Sequence, residues 1–195
     1  MDVVQRNFGV VDVLVNSACA AKRAPADEIT AAAWHDAMQN KFFTYIHVIN
    51  PLIKRMGERG HGAVVNIIGS GGKVATVTHL AGGAANAALM LASAELAAAY
   101  AGKGVRVNAV NPGRTFTERL HEGMQTEARQ QGVTVEEAIA RATKSLPLKR
   151  FANPEEIADA VVYLASARAS YVTGALLAMD GALTPMDGGL AFCCA

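Results

Sequence analysis

Apolar and polar residues along the chain follow two different spacings. Short runs rich in Val, Ile and Leu predict buried strands, and they lie at Val10–Val15, Ala63–Ile68, Val105–Val110 and Gly174–Met179. Apolar residues three and four positions apart predict helices between these runs. Because each strand is separated from the next by helix, the pattern predicts an α/β domain with a parallel sheet and right-handed crossovers.

Local signals set the ends of the predicted helices. Thr30 is a suitable N-cap, Pro51 predicts a bend or an early end in the helix that it interrupts, and Gly102 stops an Ala-rich helix. Pro154 occupies the first position of a further helix. The helices are therefore predicted at Ala31–Met56, Gly82–Ala101, Thr117–Thr143 and Pro154–Ser166.

A binding cleft is predicted where the second strand ends. Ligands of open parallel sheets bind at the carboxyl ends of the strands, and here a loop rich in Gly, Ser and Thr leads into a helix of small residues. The stretch from Thr117 to Thr143 is expected to be mobile and to lie over this cleft. Gly82 and Asn86 occupy the positions where the helix would face the cleft, and neither is a strong acid or base. The polar residues available are Ser70, Lys73, Thr76, Thr78, His79 and Asn86.

Charge and composition narrow the range of partners. The 18 Lys and Arg residues balance 17 Asp and Glu residues, so no strong field attracts nucleic acid or an anionic membrane. The three cysteines have neither metal nor redox spacing. No apolar run is expected to span a bilayer and no signal peptide is recognised, so a cytoplasmic protein is expected. The mean hydropathy of +0.20 suits either an additional apolar interface or a surface left bare by missing units.

Several segments, taken in order and with their spacing, resemble the later two thirds of a short-chain dehydrogenase/reductase. They are FGVVDVLVNSACAA, the helix that carries Asn40, VVNIIGSGG, GGAANAAL, GVRVNAVNPGRTFT, PLKRFANPEEIADAVVYLAS and YVTGALLAMDG. The resemblance implies a three-layer, Rossmann-like parallel sheet, of which residues 1–195 form the later part as a single partial domain of about four strands. Members of this family begin with two βα units and a TGxxxGxG turn that binds the dinucleotide pyrophosphate. Those units are expected to be absent here.

The resemblance also assigns site residues. Asn40 corresponds to the Asn of the proton relay, and Ser70 lies one residue after the position of the substrate-orienting Ser, which is Gly69. Asn16 belongs to a partial NNAG motif. The PGxxxT element on the nicotinamide side is represented by Pro112, Gly113 and Thr117. Where the family has its catalytic YxxxK pair, which serves as acid/base and ribose-binding lysine, this chain has Gly82 and Asn86.

Two hypotheses follow from these departures. The first is an NAD- or NADP-dependent oxidoreductase for a small carbonyl or alcohol substrate, divergent or inactive as this chain and binding its cofactor weakly. The second is a non-catalytic subunit or binding module that associates through its Ala-rich helices, and a homo-oligomer is expected in either case. His79 or Lys73 could replace the missing acid. Alternatively, Asn40 satisfies a helix bulge and Ser70 caps a turn. Arg106, Glu155 and Glu156 are expected to be surface charges.

Overall fold

A computed structural model of the protein describes residues 2–18, 21–75 and 79–183. Within them four strands form one sheet in the order β1-β2-β3-β4, and every neighbouring pair is parallel. The predicted α/β fold is therefore confirmed. The strands are β1 Val13–Asn16, β2 Gly62–Ile67, β3 Val105–Pro112 and β4 Leu176–Met179. The helices are α1 Asp2–Phe8, α2 Ala31–Ala37, α3 Thr44–Arg59, α4 Leu80–Ala101, α5 Glu118–Gln131, α6 Val135–Ser145 and α7 Pro154–Ala165. Thr76, Thr78 and the three cysteines lie outside the described residues.

Helices cover both faces of the sheet, which gives three layers. Successive residues of a strand point to opposite faces, so Val64 packs with the core residues of α3 and α4, whereas Val65 packs against α7. On the first face the α3 side chains Tyr45, Ile49 and Met56 are almost fully buried. The two central strands are thus enclosed by apolar side chains, as expected for a parallel sheet.

The first strand departs from the sequence prediction. It begins at Val13 rather than Val10 and lies at the edge of the described sheet. Val13 and Val15 are 42% and 43% exposed, while Leu14 packs against the core. A fully buried strand was therefore the wrong expectation here, because an apolar run does not report how many neighbours its strand has. The helix α1, which was not predicted, is tied to α3 by Arg55, whose guanidinium contacts Asp2 and Gln5.

The long helix predicted at Ala31–Met56 is interrupted. Thr30 caps α2 as expected, with its hydroxyl accepting a hydrogen bond from the Ala33 N–H at 3.2 Å. A π-helical segment, Met38–Phe43, then separates α2 from α3. Pro51 does not end the helix early, since α3 continues to Arg59 and stops at Gly60, which adopts a left-handed conformation. A π-helical turn adds one residue to the local register and so changes which side chains face inward.

The prediction that no apolar run could span a bilayer is wrong for α4. Its 22 residues are long and apolar enough by length and composition alone. A core helix passes the same test, and seven residues of α4 are buried in the fold. Its length and composition are therefore weak support for a membrane span.

The region predicted as a helical excursion consists of the two helices α5 and α6. They are separated at Gly132, whose φ of 64° is left-handed. Met124, Ala142, Leu146 and Phe151 form a small apolar cluster of their own. The expected mobility of this region stays a prediction.

Arg106 and Glu156 are more than surface charges. The Arg106 guanidinium donates hydrogen bonds to the carbonyl oxygens of Leu164 at 2.7 Å and Ser166 at 3.1 Å, at the end of α7. Partial burial lowers the pKa of Arg106. Glu156 completes the capping box of Asn153 at the other end of this helix and pairs with both terminal nitrogens of Arg150 at 2.7 Å. Arg106 thus ties the end of α7 to β3, and Glu156 fixes the start of the helix.

We expect Arg106→Met to lower the free energy of unfolding by about 1–3 kcal/mol, because charged hydrogen bonds to the last carbonyls of α7 are lost. Urea denaturation measures this change. Arg168→Met is the matched control, since Arg168 is exposed on the neighbouring turn and should change stability by less than about 0.5 kcal/mol. Equal effects of the two substitutions would contradict a capping role.

Lowering the pH should destabilise the start of α7, because the Glu156 carboxylate becomes protonated. Hydrogen bonds from Arg150 and then from the Asn153 N–H lower the pKa of Glu156 from 4.5 to about 2. A carboxyl with a depressed folded-state pKa stabilises the fold above its unfolded value and loses that contribution as the pH falls. Between pH 4.5 and 2, we expect the free energy of unfolding to fall less steeply in Glu156→Gln than in the parent chain. Glu155→Gln, at an exposed neighbour, should keep the parental slope.

Candidate active site

The carboxyl ends of β2 and β3 meet at one buried point. The Asn111 side-chain amide donates a hydrogen bond to the carbonyl oxygen of Ile68 at 2.5 Å, and the Ile68 N–H donates to Val110 at 2.9 Å. Asn111 has no measurable exposure. The strands therefore end in register, and the loops that follow them lie side by side at the predicted cleft.

The glycine-rich loop after β2 packs directly against α4. A Cβ on Gly72 would lie 2.8 Å from the backbone nitrogen of Ala87, and a Cβ on Gly83 would lie 2.7 Å from the Gly71 carbonyl oxygen. Glycine is required at both positions because these contacts are with backbone atoms. The loop forms a tight turn in which the Lys73 and Val74 N–H groups bond the Ser70 carbonyl at 2.9 and 3.1 Å.

This turn places Ser70 and Lys73 differently from a phosphate-binding loop. The Gly72, Lys73 and Val74 N–H groups bond carbonyls within the turn, so these three do not form a cradle for a diphosphate. The Ser70 side chain is half-buried, and its hydroxyl has no hydrogen-bond partner in the described part of the chain. The Lys73 side chain is exposed. The catalytic role assigned to Ser70 by resemblance stays a prediction.

The imidazole of His79 fills the space above Gly82. A Cβ built on Gly82 would lie only 2.2 Å from His79 Cε1 and 2.7 Å from Nε2. On the other side of the ring, a Cβ on Gly71 would lie 2.8 Å from His79 Cδ2. Glycine at positions 71 and 82 thus creates room for this one ring. An ionisable imidazole lies where a side chain at position 82 would begin.

A buried lysine reaches the other cleft-facing position of α4. Lys41 Nζ donates a hydrogen bond to Asn86 Oδ1 at 2.6 Å, and the two residues are 5% and 1% exposed. Asn86 Nδ2 faces the glycine loop, at 3.4 Å from the Cβ position of Gly69 and 3.7 Å from that of Gly71. Lys41 and Asn86 therefore belong to the same cluster as His79.

Asn40, the residue assigned by resemblance, lies on the exposed side of the π-helical segment. Its side chain and that of Lys41 emerge in different directions, and the observed contact with α4 belongs to Lys41. Sequence reasoning overlooked Lys41, although one signal was available. Ala37, Lys41, Tyr45 and Ile49 are four residues apart and all buried, so a lysine interrupts an otherwise apolar stripe.

The side chain of Asn16 belongs to a series of buried hydrogen bonds. Its amide donates to Asn66 Oδ1 at 2.8 Å, and Asn66 donates in turn to Ser93 Oγ at 2.9 Å. The Ser93 hydroxyl donates to the Leu89 carbonyl at 2.7 Å. This buried chain of hydrogen bonds connects the end of β1 with β2 and α4. Cofactor binding by Asn16 stays a prediction.

The PGxxxT element lies just beyond β3. Pro112 is the last residue of that strand, and the Gly113 N–H donates to the Met179 carbonyl at 3.1 Å. A Cβ on Gly113 would lie 2.9 Å from Asp180 Cα, so glycine permits the close approach of β4. Thr117 is the N-cap of α5, with its hydroxyl accepting from the Leu120 N–H at 3.3 Å.

Two buried oxygens lie at this element, one just before it and one within it. Asn111 Oδ1 and Thr115 Oγ1 have no hydrogen-bond partner within the described residues. Buried acceptors of this kind are normally satisfied, and a ligand with amide or hydroxyl donors would satisfy them. Cofactor binding by Pro112, Gly113 and Thr117, which the family resemblance implies, stays a prediction. A cradle for the pyrophosphate of a dinucleotide is not found among the described residues.

Other candidate sites are weaker. A cavity of about 140 Å³ lies between the loop after β3 and the start of α7, lined in part by Arg114, Arg150 and Asp180. Neither His79, Lys41 nor Asn86 lines it, and it is small for a ligand pocket. Across the described ranges, no cluster of His, Cys, Asp and Glu is arranged to hold a metal ion.

Known proteins match this chain along almost its whole length. The family model described as enoyl-(acyl carrier protein) reductase matches residues 1–184. D-threitol dehydrogenase of Mycolicibacterium smegmatis is 36% identical over 94% of this chain and 66% of its own length. Cis-4-hydroxycyclohexanecarboxylate dehydrogenase of Sinomonas cyclohexanicum is 35% identical over 94% of this chain and 70% of its own length. The chain thus spans about two thirds of the length of these relatives.

Proteins of known structure share the fold of this chain as well as part of its sequence. An actinorhodin polyketide ketoreductase variant, solved with NADPH, superposes with a TM-score of 0.89 at 31% identity, covering 93% of this chain and 70% of that one. A gluconate 5-dehydrogenase from Burkholderia cenocepacia, solved with NADP and tartrate, gives 0.84 at 28% identity, covering 94% and 69%. The family match, the relatives and the common fold lead to one conclusion: this chain belongs to the short-chain dehydrogenase/reductase family.

Proposed function

We propose that this chain functions as an NAD(P)-dependent oxidoreductase that interconverts a small alcohol and its carbonyl, with His79 exchanging the proton. The observation that carries the proposal is the His79 imidazole above Gly82, where a side chain at position 82 would begin. The activities for which relatives are named support the substrate class, since they include D-threitol dehydrogenase and galactitol 2-dehydrogenase. A small polyhydroxy alcohol is the substrate that we favour.

The chemistry requires a group that accepts a proton from the substrate hydroxyl. When bound, the nicotinamide dinucleotide supplies the hydride acceptor for the same oxidation. Gly82 and Asn86 cannot take the proton, whereas imidazole is the side chain best suited to this task near neutral pH. His79 Nε2 would hold the proton after it leaves the hydroxyl, and the half-buried ring could release it to solvent. Lys73, the other replacement that the sequence offers, is exposed and less suited to a cleft reaction.

The cofactor is proposed to lie with its nicotinamide end at the carboxyl ends of β2 and β3. Pro112 and Gly113 would border the ring, while the acceptors Asn111 Oδ1 and Thr115 Oγ1 would receive donors from its carboxamide. Because a diphosphate cradle is not found among the described residues, we expect this chain to bind NAD(H) or NADP(H) weakly. Turnover should therefore need millimolar cofactor.

The activity test uses the full chain, NAD⁺ or NADP⁺ at millimolar concentration, and D-threitol, galactitol or cis-4-hydroxycyclohexanecarboxylate. Production of the reduced nicotinamide is followed by absorbance. We expect His79→Gly to lower turnover by roughly 10²–10⁴-fold, the usual contribution of general acid–base catalysis. Added imidazole should restore part of that loss, which a purely structural histidine would not allow. His35→Asn, on the exposed side of α2, is the matched control.

A second variant separates proton transfer from folding. Gly82→Ala should expel the imidazole, because its Cβ would lie 2.2 Å from His79 Cε1, while the helix itself tolerates alanine better than glycine. We expect activity to fall without loss of cooperative urea unfolding. A folded parent chain that oxidises none of the three alcohols with either cofactor would exclude the proposed function.

Association of two copies of the chain, which both hypotheses expect, is supported by a different observation. The exposed side of α4 is a stripe of small apolar residues centred on Leu91, which is 62% exposed. Such a stripe permits close approach of a second helix. We therefore propose that α4 joins two copies of the chain, whether or not the chain is catalytic. The stripe consists of Ala84, Ala87, Leu91, Ala94 and Ala98.

We expect Leu91→Glu to shift the chain from dimer or higher oligomer to monomer, because paired stripes would bury two unpaired carboxylates. Multi-angle light scattering measures the mass. Val162→Glu is the control, since Val162 is 66% exposed on the distant helix α7 and should leave the mass unchanged. A parent chain that is monomeric at high micromolar concentration would exclude this interface.

A further inference from the structure

The last two carbonyl groups before the glycine loop, which spans residues 69–72, are held by side chains. Tyr45 Oη donates a hydrogen bond to the Ile67 carbonyl at 2.8 Å, and Asn111 Nδ2 donates to the Ile68 carbonyl at 2.5 Å. Both donors are buried, with exposures of 1% and 0%. The backbone that enters the glycine loop is therefore fixed from two sides, by α3 and by β3.

A proline explains why a side chain is needed on the β3 side. In a parallel ladder, successive residues of one strand point their N–H and C=O groups alternately to the two neighbouring strands. The Val110 carbonyl accepts from the Ile68 N–H at 2.9 Å, so the next backbone donor toward Ile68 would be residue 112. That residue is Pro112, which has no N–H. The Asn111 carboxamide therefore takes the place of a ladder hydrogen bond.

The Asn111 carboxamide gains little stability from this arrangement. Its Nδ2 satisfies one carbonyl, but its Oδ1 is buried without a hydrogen-bond partner among the described residues. A hydrogen bond that is made and a buried acceptor that is left open contribute free energies of similar size and opposite sign. A task in positioning accounts for this side chain better than a contribution to stability does.

The glycine loop forms one wall of the space that the His79 ring fills. A Cβ on Gly71 of the loop would lie 2.8 Å from His79 Cδ2. On the other side of the ring, a Cβ on Gly82 of α4 would lie 2.2 Å from Cε1. Outward movement of the loop would therefore widen this space and let the ring turn.

We propose that Asn111 and Tyr45 are positioning residues, which hold the glycine loop so that the His79 ring keeps the orientation needed for proton exchange. This inference rests on the proposed function, because it concerns the same imidazole. Neither side chain takes the proton. They act on the loop through the carbonyls of Ile67 and Ile68, and a reacting group held in one orientation reacts faster because less freedom is lost at the transition state.

The first test measures the loop without cofactor or substrate. Asn111→Leu removes the donor to Ile68, so we expect the backbone amides of residues 69–75 to exchange hydrogen roughly tenfold faster, through local opening. Mass spectrometry of peptides measures this exchange. The double variant Asn111→Leu/Pro112→Ala regains a backbone N–H where the ladder directs one, and it should largely restore the parental rate.

Two further variants complete this test. Tyr45→Phe keeps the ring in the core and removes only the hydroxyl that bonds Ile67, so it should speed the same exchange even if Asn111→Leu does not fold. Arg106→Met is the control. It is expected to lower the stability of the fold, yet its guanidinium lies at the end of α7, so the loop should exchange at the parental rate.

The second test measures how well an imidazole fits the space beside the loop. Added imidazole should restore part of the turnover of His79→Gly. When Asn111→Leu is combined with this variant, we expect the half-saturating imidazole concentration to rise roughly tenfold, because the wall of the space is no longer preorganised. A role in stability alone would change the urea midpoint but not this concentration.

The outcomes separate this proposal from the proposed function. Unchanged loop exchange in both Asn111→Leu and Tyr45→Phe, or an unchanged imidazole concentration, would overturn the positioning role and leave the proposed function intact. Failure of Pro112→Ala to restore the exchange rate would overturn the role of Asn111 as the substitute donor. A parent chain without turnover, or a His79→Gly variant without rescue, would overturn both proposals.

Discussion

The hydrogen bond between Lys41 and Asn86 connects the main parts of this structure. It joins the π-helical segment to α4 inside the protein, and α4 in turn packs on the sheet and on the glycine loop. A buried ammonium must be held by well-oriented acceptors, since its desolvation is expensive. The register of the preceding helix, the identity of residue 86 and the closeness of the loop are therefore mutually dependent.

This constraint also accounts for the small residues around the site. The loop after β2 and the first turns of α4 approach to backbone contact, which only glycine allows at positions 72 and 83. Glycine at 71 and 82 leaves a gap of a different kind, which the His79 ring fills. A lysine nitrogen and an imidazole thus reach the two cleft-facing positions of α4 from other segments of the chain.

Membership of the short-chain dehydrogenase/reductase family gives this arrangement its functional context. The carboxyl edge of the sheet, where Asn111 bonds Ile68, is the place where open parallel sheets bind ligands. The fold therefore supplies the location, whereas the chemistry depends on side chains particular to this chain. That division is general, because one fold can serve many reactions.

The sequence by itself determined the alternation of strands and helices, the parallel sheet and several helix ends. These follow from residue spacing and from local chemistry, such as the Thr30 cap and Pro154 at the start of α7, which act over a few residues only. The family resemblance likewise located the loop after β2 and the element at Pro112. Both methods read a residue from its neighbours along the chain.

Only the tertiary structure decided which polar side chains face one another. Lys41 rather than Asn40 meets α4 because the π-helical segment changes the register by packing against another helix, and no local spacing encodes that change. The His79 ring lies above Gly82 because the loop and helix approach closely, and Arg106 reaches the end of α7 across 58 residues of sequence. Likewise, an apolar run could not reveal that β1 lies at the edge of the described sheet. Such contacts depend on the relative placement of whole elements, which is set by the packing of the core.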